Sequence, residues 1–83
     1  MSNNKREKVT NMLSKMVSLE EIVIDTVHEM TGISTDTVTN KMTNSDFRKQ
    51  LYDIKSDFYL NDPNILVAAF IREGIDKWGW KIK

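Results

Sequence analysis

Apolar residues recur at three- and four-residue spacing along most of the chain, which is the period of one helix face. Val9, Met12, Leu13, Met16 and Val17 predict a first helix from about Lys5 to Met16, with residues 1–4 fraying ahead of it. Ser18 and Glu21 form a capping box: the serine oxygen takes one free backbone donor and the glutamate returns to another. A second helix is therefore expected to start at Ser18, with Val17 stapled onto its first turn. Ile22, Val23, Val27 and Met30 give it an apolar stripe. Gly32 ends it, because glycine enters the left-handed conformation at little steric cost.

Ser34 is placed to cap a short third helix, about Thr35 to Met42. Its threonines and asparagines have poor helix propensity, so Ile33, Val38 and Met42 must hold it by burial. Asn44 or Ser45 caps a fourth helix, in which Phe47, Leu51, Ile54 and Phe58 form the cleanest stripe. Asp62 then caps a fifth helix with Pro63 at its first position, running to about Trp78. Ile65 to Ile71 is an unbroken apolar run, and with Ile75 it nearly encircles the first half of that helix. Such a helix is either central and buried or partly covered by a second chain. A homodimer is expected, using part of Leu66, Phe70, Ile75 or Trp78. The tail from Trp78 to Lys83 alternates apolar and polar residues and is expected to fold back on the bundle as an extended segment.

Glycine and proline are too rare for an all-β chain of tight turns. The pattern therefore predicts an all-α fold, one small bundle of about five helices over residues 1–83. At 83 residues such a chain buries only about 60–65% of its unfolded surface, and stability must come from a thin core or from a partner. There is no cysteine, which removes disulfides, thiol nucleophiles and cysteine-based zinc sites. The apolar run is too short to span a bilayer and no leader pattern precedes it, so no membrane partner and a cytoplasmic location are expected.

The segment from Val27 to Met42 carries the functional information. Gly32, Ile33, Ser34, Thr37, Val38 and Thr39 fall at the places of the Gly-(Val/Ile)-Ser-x-x-Thr-Val-Ser pattern. The segment resembles the helix-turn-helix of DNA-binding regulators, most closely the lac-repressor type. Gly32 permits the turn, Ile33 plugs the corner, Ser34 caps the second helix and Val38 seats it on the first. The resemblance implies double-stranded DNA as partner, with the second helix in the major groove. Thr35, Asp36, Thr37, Thr39, Asn40 and Lys41 then face the DNA, and Arg48 and Lys49 stand among the flanking cations. His28 takes the place of a small residue at the crossing, so its ring must turn outward or widen the corner. Gly32, Ile33, Ser34, Val38, Lys41 and Arg48 also resemble the DNA-binding domain of the bacterial replication initiator, without its dense basic segment.

Charge changes the picture in two ways. Twelve basic and twelve acidic residues cancel, which argues against coating nucleic acid by bulk charge. Glu20, Glu21, Asp25, Glu29 and Asp36 make the helix before the turn acidic, while Lys5, Arg6, Lys8 and Lys15 precede the motif and Lys41, Arg48 and Lys49 follow it. The chain is thus dipolar, and a basic side is available to phosphates. The alternative reading is a small phage- or plasmid-type module that binds and modulates a host protein.

No enzyme is expected, and no cofactor or metal. His28 is the single histidine, and its neighbour Glu29 points to a different helix face. Asp53, Asp57 and Asp62 lack the spacing and central glycine of a calcium loop and read as solvated acids. The methionines read as core filler. Trp78 and Trp80 are either partner contacts or buried under the bundle.

Overall fold

A computed structural model describes the backbone of residues 2–83 and the side chains of residues 7–83. Among the described residues the fold is all-α: helix α1 (Ser2–Thr31), α2 (Thr35–Thr43), α3 (Asp46–Leu51) and α4 (Pro63–Trp78), without strands. Two single 3-10 turns, Ile54–Ser56 and Phe58–Leu60, join α3 to α4. Of residues 1–4, expected to fray, Met1 lies outside the described residues and the backbone of residues 2–4 forms the first turn of α1.

The first two expected helices are one. Ser18 lies in the middle of α1 and caps nothing, and Val17 is exposed rather than stapled. Neither glycine nor proline occurs between Ser2 and Thr31, so nothing forces the chain out of helical dihedrals there. The stripe also runs unbroken through the junction: Met16, Leu19, Val23 and Val27 are all buried on one face. At 30 residues α1 is about 45 Å long. It sets the long axis of a body measuring 50 × 21 × 19 Å.

The fourth expected helix is shorter than its stripe. Ser45 caps it, accepting the Arg48 N–H at 3.0 Å while donating to the Met42 carbonyl at 2.8 Å. Helix α3 nevertheless stops at Leu51. Asp53 takes the Lys55 N–H, the Ser56 hydroxyl bonds the Gln50 and Asp53 carbonyls, and Asp57 adopts a left-handed φ of 54°. These short polar side chains offer the backbone local partners that compete with a helix ladder. Ile54 is exposed in consequence, while Phe58 still packs edge-on against Phe47.

Helix α4 is central. Asp62 caps it through the Asn64 N–H at 2.8 Å, and Pro63 opens its first turn. Leu66, Val67, Phe70 and Ile71 enter the core beside Phe47, Leu51, Val23 and Val27. Gly79, at φ 70°, ends the helix and turns the tail back, so that Trp80 lies flat over Gly74 and edge-on to Phe70. A Cβ on Gly74 would stand 1.9 Å from the Trp80 ring, so only glycine admits the indole here. The tail folds back and docks: Trp80 is buried and the Lys83 N–H bonds the Met30 carbonyl at 2.9 Å, while Ile82 stays exposed.

Two residues expected at a dimer interface belong to this core. Leu66 and Phe70 are fully buried within their own chain and offer no surface to a second copy. α1, α3 and the tail together cover Leu66, Val67, Phe70 and Ile71 of the apolar run, while Ile65 and Ala68 remain exposed. Ile75 is exposed and Trp78 half-buried.

Candidate nucleic-acid interface

The corner between α1 and α2 is fixed by four local devices. Gly32 takes φ 76° and donates its N–H to the His28 carbonyl at 2.9 Å. Thr31 donates its hydroxyl to the Val27 carbonyl at 2.7 Å and accepts the Ile33 N–H at 3.2 Å. Ser34 accepts the Thr37 N–H at 3.2 Å and donates to the Thr37 hydroxyl at 2.9 Å. Val38 and Met42 are fully buried against α1, where Val27 is buried too.

His28 resolves its crowding by turning outward. Its Nδ1 lies 2.6 Å from the Ile33 carbonyl oxygen. A carbonyl only accepts, so Nδ1 carries the proton and donates across the turn. The imidazole therefore ties the corner instead of wedging it.

This leaves all of α2 polar except its Val38–Met42 stripe. Thr35, Asp36, Thr37, Thr39, Asn40 and Lys41 are all exposed. Thr37, Asn40, Lys41 and Asn44 recur at helical spacing and form one wall of an open groove of about 510 Å³, whose other wall is Lys77 and Trp78 of α4. The Lys41 ammonium stands 5.6 Å from the centre of the Trp78 ring. Amide and hydroxyl groups with a cation over an aromatic face are groups that recognise base edges and phosphates.

The flanking cations divide. Lys49 is exposed on α3. Arg48 is half-exposed but tied down: its Nε donates to Glu20 at 3.0 Å and its guanidinium lies 4.8 Å over the Tyr52 ring. The Tyr52 hydroxyl donates to the other Glu20 oxygen at 2.6 Å. Burial, then the Glu20 hydrogen bond, pushes the Tyr52 phenol up to about 12. Arg48 thus clamps α3 to α1, a role its sequence position beside α2 does not reveal.

Two groups, Lys83 and Lys77, were not legible as site residues, and Trp78, expected at a dimer contact, lines the α2 groove. Lys83 lies over Gly32, its Cε 2.9 Å from where a Cβ would stand. Lys77 bridges Asp46 and Glu73, and their hydrogen bonds raise its pKa. Trp78 reaches the α2 groove from the far end of the chain. Only the alternation of the tail hinted that it returns to the bundle, and nothing local says where it lands. Among the described residues no three histidine or carboxylate side chains gather into a metal-binding group, and no helix is long and apolar enough to cross a membrane. Asp53 and Asp62 serve as caps.

No family model, no curated protein and no solved structure matches the chain.

Proposed function

We propose that this chain is a small cytoplasmic DNA-binding regulator that lays α2 in the major groove of a DNA duplex and acts as a homodimer rather than as an enzyme. One observation carries the reading. Six side chains of α2, Thr35, Asp36, Thr37, Thr39, Asn40 and Lys41, stand exposed on a helix whose inward face is fixed by Ser34, Val38 and Met42. A nine-residue helix with so little intrinsic propensity is held outward-facing by its corner, and its exposed surface is hydrogen-bonding almost throughout. Asn40 suits adenine, with a donor and an acceptor side by side, and Lys41 suits a guanine edge or a phosphate. Lys83, over Gly32, supplies further positive charge at the corner, and Lys49 stands exposed on α3. Binding is tested by fluorescence anisotropy with labelled genomic fragments at low salt. Saturable binding that Asn40→Ala weakens supports the reading, and no binding at low salt refutes it.

A second reading, a module that docks on a host protein, is favoured by a different feature. An open apolar cleft of about 420 Å³ lies between α1, α4 and the tail, with Met30, Ile71, Ile75 and Ile82 in its walls. An Ile75→Asp variant that loses biological function while keeping DNA affinity would select this reading.

A further inference from the structure

The N-terminal half of α1 carries an apolar ridge that the chain's own core leaves uncovered. Val9, Leu13 and Val17 stand at i, i+4 and i+8 and are 43%, 44% and 47% exposed. On the neighbouring face Met16 is fully buried and Met12 accepts the Tyr59 hydroxyl at 3.2 Å. Beside the ridge runs a second row at the same spacing, the small residues Thr10, Ser14 and Ser18, and the two rows border a shallow groove. From Val9 to Ser18 the one charged residue is Lys15, and its ammonium is directed at the Tyr59 ring, 5.9 Å from the centroid. A helix face that remains in water ordinarily carries charges; this one carries an aliphatic row and hydroxyls.

We propose that this face is the contact between two copies of the chain, with the α1 helices crossing antiparallel about a two-fold axis at Leu13. Three features select a second copy as the occupant. Ridge and groove both follow rows at four-residue spacing, so the ridge of each copy fits the groove of the other at a crossing angle near −50°. A contact that satisfies both at once is isologous, the usual geometry of a dimer. The row is also symmetric about Leu13: Val9 comes opposite Val17 of the partner subunit, and Leu13 opposite its own counterpart. Finally, the charges that flank this window have opposite signs. In the sequence the cations Lys5, Arg6 and Lys8 outnumber Glu7 before it, and Glu21 follows it, Glu20 being held within the chain by Arg48 and Tyr52. Antiparallel crossing brings unlike signs toward each other at both ends, and parallel crossing brings like signs together.

The window spans about three turns of helix, so the buried area is below that of standard stable interfaces and the dimer is a weak, concentration-dependent one. This surface is at the opposite end of α1 from the corner at Gly32, so pairing leaves the polar face of α2 open. The inference stands independently of what α2 binds.

Sedimentation of the full chain tests it. The expected result is a reversible shift from monomer to dimer as the concentration is raised, as for a weak interface of less than standard size. Leu13→Asp is expected to remain monomeric throughout while keeping its helical circular dichroism, since Leu13 is outside the core. The absence of cysteine lets added thiols report the geometry without background. Leu13→Cys should form a covalent dimer on mild oxidation. Val9→Cys protein should cross-link to Val17→Cys protein faster than either does to itself. A monomer at the highest concentration overturns the proposal, as does a dimer untouched by Leu13→Asp or one abolished by Ile75→Asp in the α1–α4 cleft. Preferential self-cross-linking of Val9→Cys overturns the antiparallel arrangement.

Discussion

Glu73, on α4, accepts the backbone N–H of Phe47 at 2.7 Å and, through its other carboxylate oxygen, that of Asp46 at 2.8 Å. These are the first free donors of α3, a helix in a distant part of the sequence. Ser45 satisfies the next donor, so a six-residue helix that cannot sustain itself is capped from two sides. The negative charge also sits at the positive end of the α3 dipole. The contact joins α3 to α4 and thereby seats Phe47 against Phe70, whose ring centres are 5.1 Å apart.

Glu73→Ala is therefore expected to destabilise the fold by about 2–3 kcal/mol, the scale of hydrogen bonds to a charged acceptor. Glu73→Gln keeps one oxygen and should cost about half as much. Urea denaturation measures both. A loss within about 0.5 kcal/mol, as for an ordinary surface change, would show that the cap is idle.

Lys77 couples this cap to pH. Its hydrogen bond and charge hold the Asp46 carboxyl below its ordinary value of 3.8, with Lys49 adding to the effect. The folded value is the lower one. The resulting stabilisation is complete above pH 3.8 and is lost as pH falls through the folded value. Asp46→Asn should lower the midpoint slightly at neutral pH and flatten the acid limb, the two proteins converging once Asp46 is protonated. An unchanged acid limb would contradict the coupling.

At the alkaline end the sign reverses. Tyr52 is pushed up from 10.0 to about 12, first by burial and then by its bond to Glu20. A raised folded value stabilises fully below the unfolded value, and that contribution disappears as pH rises from about 10 through 12. Phenolate absorbance should show a late titration that Tyr52→Phe removes. Arg48→Ala, which takes away the cation beside it, should loosen α3 from α1 and lower the melting temperature. It should change DNA affinity little, in contrast to the outward-facing Lys41.

Local signals were legible in the sequence where the chain closes them locally. Ser34, Ser45 and the Asp62-Pro63 pair mark three helix starts, and Gly32 marks a helix end, because each cap completes its bonds within four residues. The same locality misleads at Ser18. Ser-x-x-Glu fits a capping box, yet it sits equally well on the exposed side of a continuing helix. The decision belongs to Met16, Leu19 and Val23, whose burial side by side needs one straight rod. The stripe from Phe47 to Phe58 has the right period, but Asp53, Ser56 and Asp57 take the backbone elsewhere. Glu73 caps a helix far away in the sequence, and Gly74 and Trp80 meet only because Gly79 reverses the chain between them, so no helical or strand period marks these contacts.

Gly74 gives the sharpest test of the docked tail. Alanine in a helix interior ordinarily gains about 1 kcal/mol over glycine. Here the added methyl would meet the Trp80 ring at 1.9 Å. Gly74→Ala should lose that gain and cost about 1–3 kcal/mol more as the indole is displaced. Trp80 is also T-stacked on Phe70 at 5.3 Å. A red-shifted tryptophan emission should therefore accompany the lower melting temperature. A stabilised variant with unshifted emission would show that the tail does not rest on α4.

The α2 surface separates recognition from scaffold. Asn40 is exposed and has no structural partner in the corner bonds, so Asn40→Ala should leave stability unchanged within about 0.5 kcal/mol. If α2 reads DNA, the same change should weaken specific binding by about 1–3 kcal/mol and relax discrimination at one base pair. Lys41→Ala should weaken all sequences alike and reduce the salt slope by about one unit. Val38, fully buried, behaves in the opposite way. Val38→Ala removes two methyl groups from the seat of α2 and should cost about 2 kcal/mol of stability. DNA affinity should then fall only near the melting transition, where α2 loses its support. Anisotropy titrations at two salt concentrations, run beside urea denaturation of the three variants, distinguish these patterns. Equal DNA affinity for all three at low temperature would leave α2 as a structural corner and remove the DNA reading.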